Sequence, residues 1–291
     1  MIYLVLSILT TTCLFVLFKL FDRFKLNTLL AVVVNYATAA TIGFMLNSYH
    51  PKTSITDQRW FLLAVFLGFV FISIFNLLGF TAQRIGLSVS SVANKMSLVI
   101  PFTIAVILYD QRINALRILG ILLSLLAVYF TSSRKKEDQP SDVHEVSAIL
   151  KFLLPFLLFI GSGILDSLLN FSQLMYLNED NSHLFNSVAF GSAATIGCIV
   201  LLIKRPRVER MGYSVLGGLV LGTINYISIY CFLKALEIPT LQSSVIIPVN
   251  NIGVVAVSAL CALLAFKEKF SAKNVVGLVL SGVAITLLYL N

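Results

Sequence analysis

Long apolar runs separated by short polar joints set the pattern of this chain. Ten stretches stay apolar over the length of about 20 residues that a helix needs to cross a bilayer core. They are 2–20, 28–47, 60–80, 87–109, 115–131, 148–170, 183–203, 213–234, 241–265 and 272–290. The joints hold Lys, Arg, Asp, Asn and Pro. The runs are continuous rather than alternating, so they predict helices and not barrel strands. The first run has no basic segment ahead of it and no clear small-residue cleavage site. It reads as a span, not as a signal peptide.

Composition sharpens this picture. Of 291 residues, 58% are hydrophobic and only 12% charged, with a mean hydropathy of +0.94. About a quarter of an ordinary soluble chain is charged. Water as the main solvent is excluded, and so is disorder, which needs low hydrophobicity and high charge. The net charge of +8 does not call for nucleic acid. Cytoplasmic loops alone give a membrane protein a positive excess. Cys13, Cys198, Cys231 and Cys261 lie inside apolar runs, without metal-ligand or redox spacing. His50, His144 and His183 sit in polar connectors and form no cluster. No metal or other cofactor is expected.

The longest polar stretch, 132–147, leaves five runs on either side. The two halves repeat each other. Ala39-Ala40-Thr41-Ile42-Gly43 recurs as Ala193-Ala194-Thr195-Ile196-Gly197. Ala82, Ile85 and Ser90-Ser91-Val92 recur as Ala235, Ile238 and Ser243-Ser244-Val245. Gly120, Leu123-Ser124 and Ala127 recur as Gly277, Leu280-Ser281 and Ala284. The offsets are 154, 153 and 157, in chain order. An odd number of spans per half forces opposite orientations. The expected fold is therefore an all-α integral membrane protein of ten transmembrane helices, built as two inverted five-helix repeats. Residues 1–133 form the first repeat, 134–147 a central polar loop, and 148–291 the second repeat. Connectors after odd-numbered spans hold 15 Lys and Arg, those after even-numbered spans 5. That asymmetry places the odd connectors in the cytoplasm and both termini outside.

Phe266-Lys267-Glu268-Lys269-Phe270, followed by Gly277 and Ser281-Gly282-Val283, closes the second half. With the helix-end segments Ala82-Gln83-Arg84-Ile85-Gly86 and Ala235-Leu236-Glu237-Ile238-Pro239, this resembles the drug/metabolite transporter superfamily, in its ten-helix EamA-type branch. The resemblance covers nearly the whole chain. It implies a Glu closing the fourth helix of each half; Glu268 fits, while Asp110-Gln111-Arg112 puts Gln111 at the matching place. It also implies that the fifth and tenth helices are scaffold, and that a small metabolite, amino acid, nucleotide sugar or drug is moved by ion coupling or exchange.

Polar residues inside the spans are the candidates for chemistry. Lys95, near the centre of the fourth span, costs at least about 2.5 kcal/mol to place there. It is expected to meet a substrate anion or a proton-linked carboxylate. Asp166 in the sixth span is the carboxylate candidate, and direct pairing with Lys95 stays open. Pro101 and Pro248 are expected to interrupt spans four and nine. Ser243 with Asn250, and Ser244 with Asn251, form adjacent helical stripes around the second proline. Ser91, Asn94, Asn76, Asn170 and Asn225 are further candidates to line a cavity, as are Tyr36, Tyr226 and Tyr230. Gly120 with Ser124, Gly277 with Ser281, and Gly218 with Gly222 are spaced for close helix contact.

The expected function is secondary transport of a small metabolite by alternating access, with export as one direction, in the cytoplasmic (inner) membrane. A flippase or transporter of a lipid-linked or amphipathic substrate is one alternative, and a non-transporting sensor or channel another. No enzyme is expected: His-Glu-x-x-His, Gly-x-Ser-x-Gly and the Gly-x-x-x-x-Gly-Lys loop are all missing. The expected partners are a small-molecule substrate and membrane lipid, with no nucleic acid, and the chain is read as a monomer.

Overall fold

The computed structural model describes residues 2–47, 54–108, 115–132, 148–177, 181–205, 209–236 and 243–289. The central segment 133–147, Asp110-Gln111-Arg112 and Gln242 lie outside them, and the side chains of Ser243, Ser244 and Pro248 are likewise not described. Every described helix is α, apart from a 3₁₀ turn at Ile55–Asp57. The helices are α1 (Ile2–Arg23), α2 (Thr28–Leu46), α3 (Phe61–Arg84), α4 (Leu87–Met96), α5 (Val99–Leu108) and α6 (Ala115–Ser132). They continue as α7 (Ala148–Met175), α8 (Ser182–Lys204), α9 (Met211–Leu236), α10 (Ser243–Leu264) and α11 (Ala272–Tyr289). Since α4 and α5 share the fourth apolar run, the described α-helices fall into the ten runs of the sequence.

Six of these helices are long and apolar enough to cross a membrane, with shorter apolar helices at Ile118–Thr131, Val249–Leu264 and Ala272–Leu287. The protein is a multi-pass membrane protein. Most ends fall within a few residues of the apolar runs, because burial in lipid and in protein both select the same side chains. Capping fixes some ends. Asn27 accepts a hydrogen bond from the Leu30 amide at the start of α2, at 2.9 Å. Ser271 and Asn274 bond each other's backbone and side-chain groups before α11.

Two compact units divide the chain, and neither is a half of the sequence. The first takes Met1–Lys19, Leu77–Gly163 and Ser228–Asn291; the second takes Leu20–Asn76 and Ile164–Ile227. In the first unit α6 and α11 lie against each other. A Cβ at Gly277 would stand 2.7 Å from the Thr131 methyl and 3.0 Å from the Ala127 carbonyl oxygen. Asn274 Nδ2 donates to the Thr131 carbonyl at 2.8 Å, tying the start of α11 to the end of α6. Ser124 and Ser281 are fully buried, and each hydroxyl donates to the carbonyl three residues back, at 2.7 Å. Gly120 is also buried.

In the second unit α2 packs antiparallel to α8: Gly43 faces Ser187, and Gly197 faces Val33. The stripe of α9 packs on α2 from another side. Cβ atoms at Gly218 and Gly222 would lie 2.6 Å from the carbonyl oxygens of Ala31 and Asn35. An aromatic core fills the rest, with Tyr36 among Phe71, Phe75 and Phe190 at ring-centre distances of 6.0, 5.4 and 5.7 Å.

Candidate functional site

The fourth span is broken near its middle. α4 and α5 have ten residues each, or about 15 Å apiece, and Ser97 and Leu98 part them. Pro101 is the third residue of α5, where its missing N–H would have had no intrahelical acceptor. The proline therefore starts the second half-helix, and the break precedes it. The Ser97 hydroxyl turns back to the Asn94 carbonyl and satisfies one group at the end of α4. Lys95 stands in the last turn of α4, half-buried. A cation there is favoured by the negative end of the half-helix dipole.

Around this break the first unit gathers hydroxyls and amides. Asn94 Nδ2 donates to Ser162 Oγ of α7 at 3.0 Å. Ser91, fully buried, bonds Ser258 of α10 through their hydroxyls. Asn250 and Asn251 are both buried on α10. Asn250 Oδ1 makes no hydrogen bond among the described residues, nor do the hydroxyls of Ser7 and Thr12 on α1. Ile8, between those two, meets Gly253 of α10. Buried polar atoms left unsatisfied cost about 1–3 kcal/mol each; three of the four among the described residues lie on α1 and α10 of this unit, and the fourth, Asn35 Nδ2, lies in the second.

Span nine departs from expectation. α10 runs without a break from Ser243 to Leu264, through Pro248. Pro248 is its sixth residue, so the carbonyl it frees, that of Ser244, belongs to the first turn. α7, by contrast, holds Pro155 inside its helix, a position the sequence reading passed over.

Glu268 gains a partner that sequence spacing could not reveal. Its Oε1 lies 3.6 Å from Lys19 Nζ and accepts the Leu87 amide at 3.0 Å. Lys19 also donates to the Ala82 and Gln83 carbonyls at 3.3 and 3.4 Å, and Gln83 Nε2 returns a bond to the Phe18 carbonyl. A cation thus closes the end of α3 and an anion opens α4, each charge facing the dipole that favours it. Gly86, between the two helices, has φ of 137°, which an L side chain would resist. Lys19 of α1, the end of α3 and the segment after α10 meet here, so connectors 3–4 and 9–10 lie together in the first unit.

The second unit holds the other candidates. Asp166 is exposed on α7, as is Asn170. Asn76 Nδ2 turns to its own helix, donating to the Ile72 carbonyl at 2.7 Å. Asn225 Nδ2 donates to Asn35 Oδ1 at 3.3 Å, both residues buried. Tyr36 is a core residue rather than a cavity lining: it is fully buried and its hydroxyl donates to the Phe71 carbonyl at 2.9 Å. Tyr226 meets His183 Nδ1 at 3.4 Å; Tyr230, in the first unit, is exposed. Among the described residues no three His, Cys, Asp or Glu gather as a metal site.

No family model matches the chain. A protein of Haemophilus influenzae described as "Uncharacterized protein" is 27% identical over 294 residues, spanning 98% of this chain and 97% of that protein. A solved structure described as "Crystal structure of protein" superposes with a TM-score of 0.60 at 12% identity, over 99% of this chain and 96% of that one. At that identity the likeness is one of fold. It extends from end to end of both chains.

Proposed function

We propose that this protein is a secondary transporter of the drug/metabolite transporter type, moving a small metabolite by alternating access. One observation carries the reading: a span broken at mid-depth, with a lysine in the last turn of its first half-helix. Irregular backbone at membrane depth is tolerated where it lines a cavity, and ionisable residues there mark substrate or ion pathways. Lys95 is the group that meets a substrate anion or the proton-linked charge. Ser91 and Asn94 hold α4 to its neighbours, and Asn250 offers an acceptor that a hydrogen-bonding ligand satisfies. The exposed carboxylate of Asp166 is best accounted for by a water-filled path, since a charge facing lipid is costly. The recurring sequence blocks, and the buried Ser124 and Ser281 at matched places beside the α6–α11 contact, support two inverted repeats as the moving parts.

A groove of about 410 Å³ between α10 and α11, lined by Ile252, Val279, Gly282, Val283, Thr286 and Leu287, favours an amphipathic substrate as the second reading. Purified protein in liposomes, loaded and unloaded with a panel of labelled metabolites and amphiphiles under imposed pH and sodium gradients, tests both. Gradient-driven uptake or exchange of a panel member supports transport. Binding without movement across the bilayer would make the protein a sensor. In the proposed orientation the odd connectors are cytoplasmic. Glu209→Cys should then be shielded from an impermeant thiol reagent in intact cells and Asp57→Cys labelled; the opposite pattern reverses the orientation.

A further inference from the structure

Three non-glycine residues among those described have left-handed backbones: Lys25 at φ 55°, Arg205 at φ 40° and Lys267 at φ 52°. All three are cations, and each follows the end of a helix. Glycine is the usual occupant there, because the left-handed region costs an L residue about 1–2 kcal/mol. The helix dipole does not account for the choice. It is already met by Arg23 in the last turn of α1 and Lys204 in the last turn of α8, neither of which is strained.

Within the second unit two of these residues fall at the same end of the α2–α8 pair. α2 and α8 run antiparallel, with Gly43 opposite Ser187 and Val33 opposite Gly197. The same register carried to the helix ends brings Lys25, just ahead of α2, level with Arg205, the cap of α8. Arg210 joins them: its Nη1 donates to the Phe24 carbonyl at 3.3 Å, and the Asn27 amide donates to Ser214 Oγ at 2.9 Å. The acids nearby in sequence are Asp22 and Glu209, both exposed, and no ion pair joins either to these cations among the described residues. Phe24, Ile203, Met211 and Tyr213 are exposed around the cations. Cations at helix ends amid exposed aromatic and aliphatic side chains match the depth where phosphates meet acyl chains. A free anion would leave that apolar rim in water.

We propose that Lys25, Arg205 and Arg210 bind the headgroup phosphate of an anionic phospholipid, and that the left-handed strain is retained to present two of these cations together. The purified full-length protein in neutral detergent micelles is titrated with phosphatidylglycerol, phosphatidylcholine or sodium phosphate at constant ionic strength, and its melting midpoint followed. Phosphatidylglycerol should raise the midpoint at lower concentration than phosphatidylcholine, and phosphate should not reproduce the rise. The double variant Lys25→Gly/Arg205→Gly relieves the strain. It should melt no lower than the parent with phosphatidylcholine, yet bind phosphatidylglycerol about fivefold more weakly for each cation removed. Equal response of the parent to both lipids, equal stabilisation by phosphate, or an unchanged phosphatidylglycerol affinity in the variant overturns the proposal. If the variant does not fold, the three titrations of the parent decide alone.

Discussion

The two units solve the problem of burying a chain in lipid in opposite ways. The second is close-packed: glycines let α9 press on α2, and Tyr36 sits in a nest of phenylalanines. Asn76 is consumed on its own helix, and Asn35 Nδ2 is the one buried side-chain group left without a bond among the described residues of this unit. The first breaks a helix at mid-span, places Lys95 at the break, and leaves Ser7, Thr12 and Asn250 with unspent bonding capacity. Glycine contacts pair helices in both units, as at Gly277 in the first; unspent polar capacity inside a membrane makes sense where something else binds. The proposed chemistry rests on the first unit's broken helix and its three such groups, against one, Asn35 Nδ2, in the second.

The largest effect should come from Lys95→Met. The substitution keeps length and bulk and removes the charge, so the protein should still fold while transport falls by about ten- to a hundredfold, the scale of a lost charged contact. The readout is initial uptake into liposomes beside the melting midpoint of the same preparation. Normal transport would return Lys95 to a packing role and erase the difference between the units.

Next in size is Gly222→Leu in the second unit. A Cβ there would already stand 2.6 Å from the Asn35 carbonyl oxygen, and backbone cannot step aside as a side chain can. Overpacking of this kind costs about 1–3 kcal/mol or more, so folded yield and melting temperature should drop together. Gly191→Leu, where nothing lies within 4 Å, is the matched control and should fold normally. Equal yields would mean that α9 and α2 are not held together by this stripe.

Glu268→Gln should act more mildly. The amide oxygen can still accept from the Leu87 N–H, but Lys19 loses its counter-charge. A hydrogen bond to a charged group is worth about 1.5–3 kcal/mol, and Lys19 keeps the Ala82 and Gln83 carbonyls as partners. The expected loss is at the lower end of that range, seen as a lower melting midpoint. An unchanged midpoint would show that the backbone carbonyls alone hold the end of α3.

These cases also mark what the sequence could disclose. Ten helical runs were legible because lipid demands long apolar runs, a demand written in consecutive residues. Lys95 was legible for the converse reason, as a charge where none is cheap. The break in span four followed from Pro101, yet Pro248 left α10 unbroken. A proline near the start of a helix disrupts little, and the start of α10 could not be fixed from composition. Lys19 falls near the end of the first apolar run, and its role depends on Glu268 nearly 250 residues away. Tyr36 had the look of a cavity residue, because polarity alone does not say whether a hydroxyl meets substrate or a neighbouring carbonyl.

The smallest predicted effect, Tyr36→Phe, tests the contrast most finely. The tyrosine is fully buried, and its ring contacts with Phe71, Phe75 and Phe190 do not need the hydroxyl. The one bond lost is that to the Phe71 carbonyl. That oxygen lies inside α3 and keeps the helical acceptor role of its turn, so it is not left bare. A neutral bond of this kind contributes about 1 kcal/mol. The variant should therefore melt slightly lower and transport as the parent does. If it folds with an undiminished midpoint but loses transport, the aromatic nest shares in the transport cycle, and the second unit is more than a rigid body.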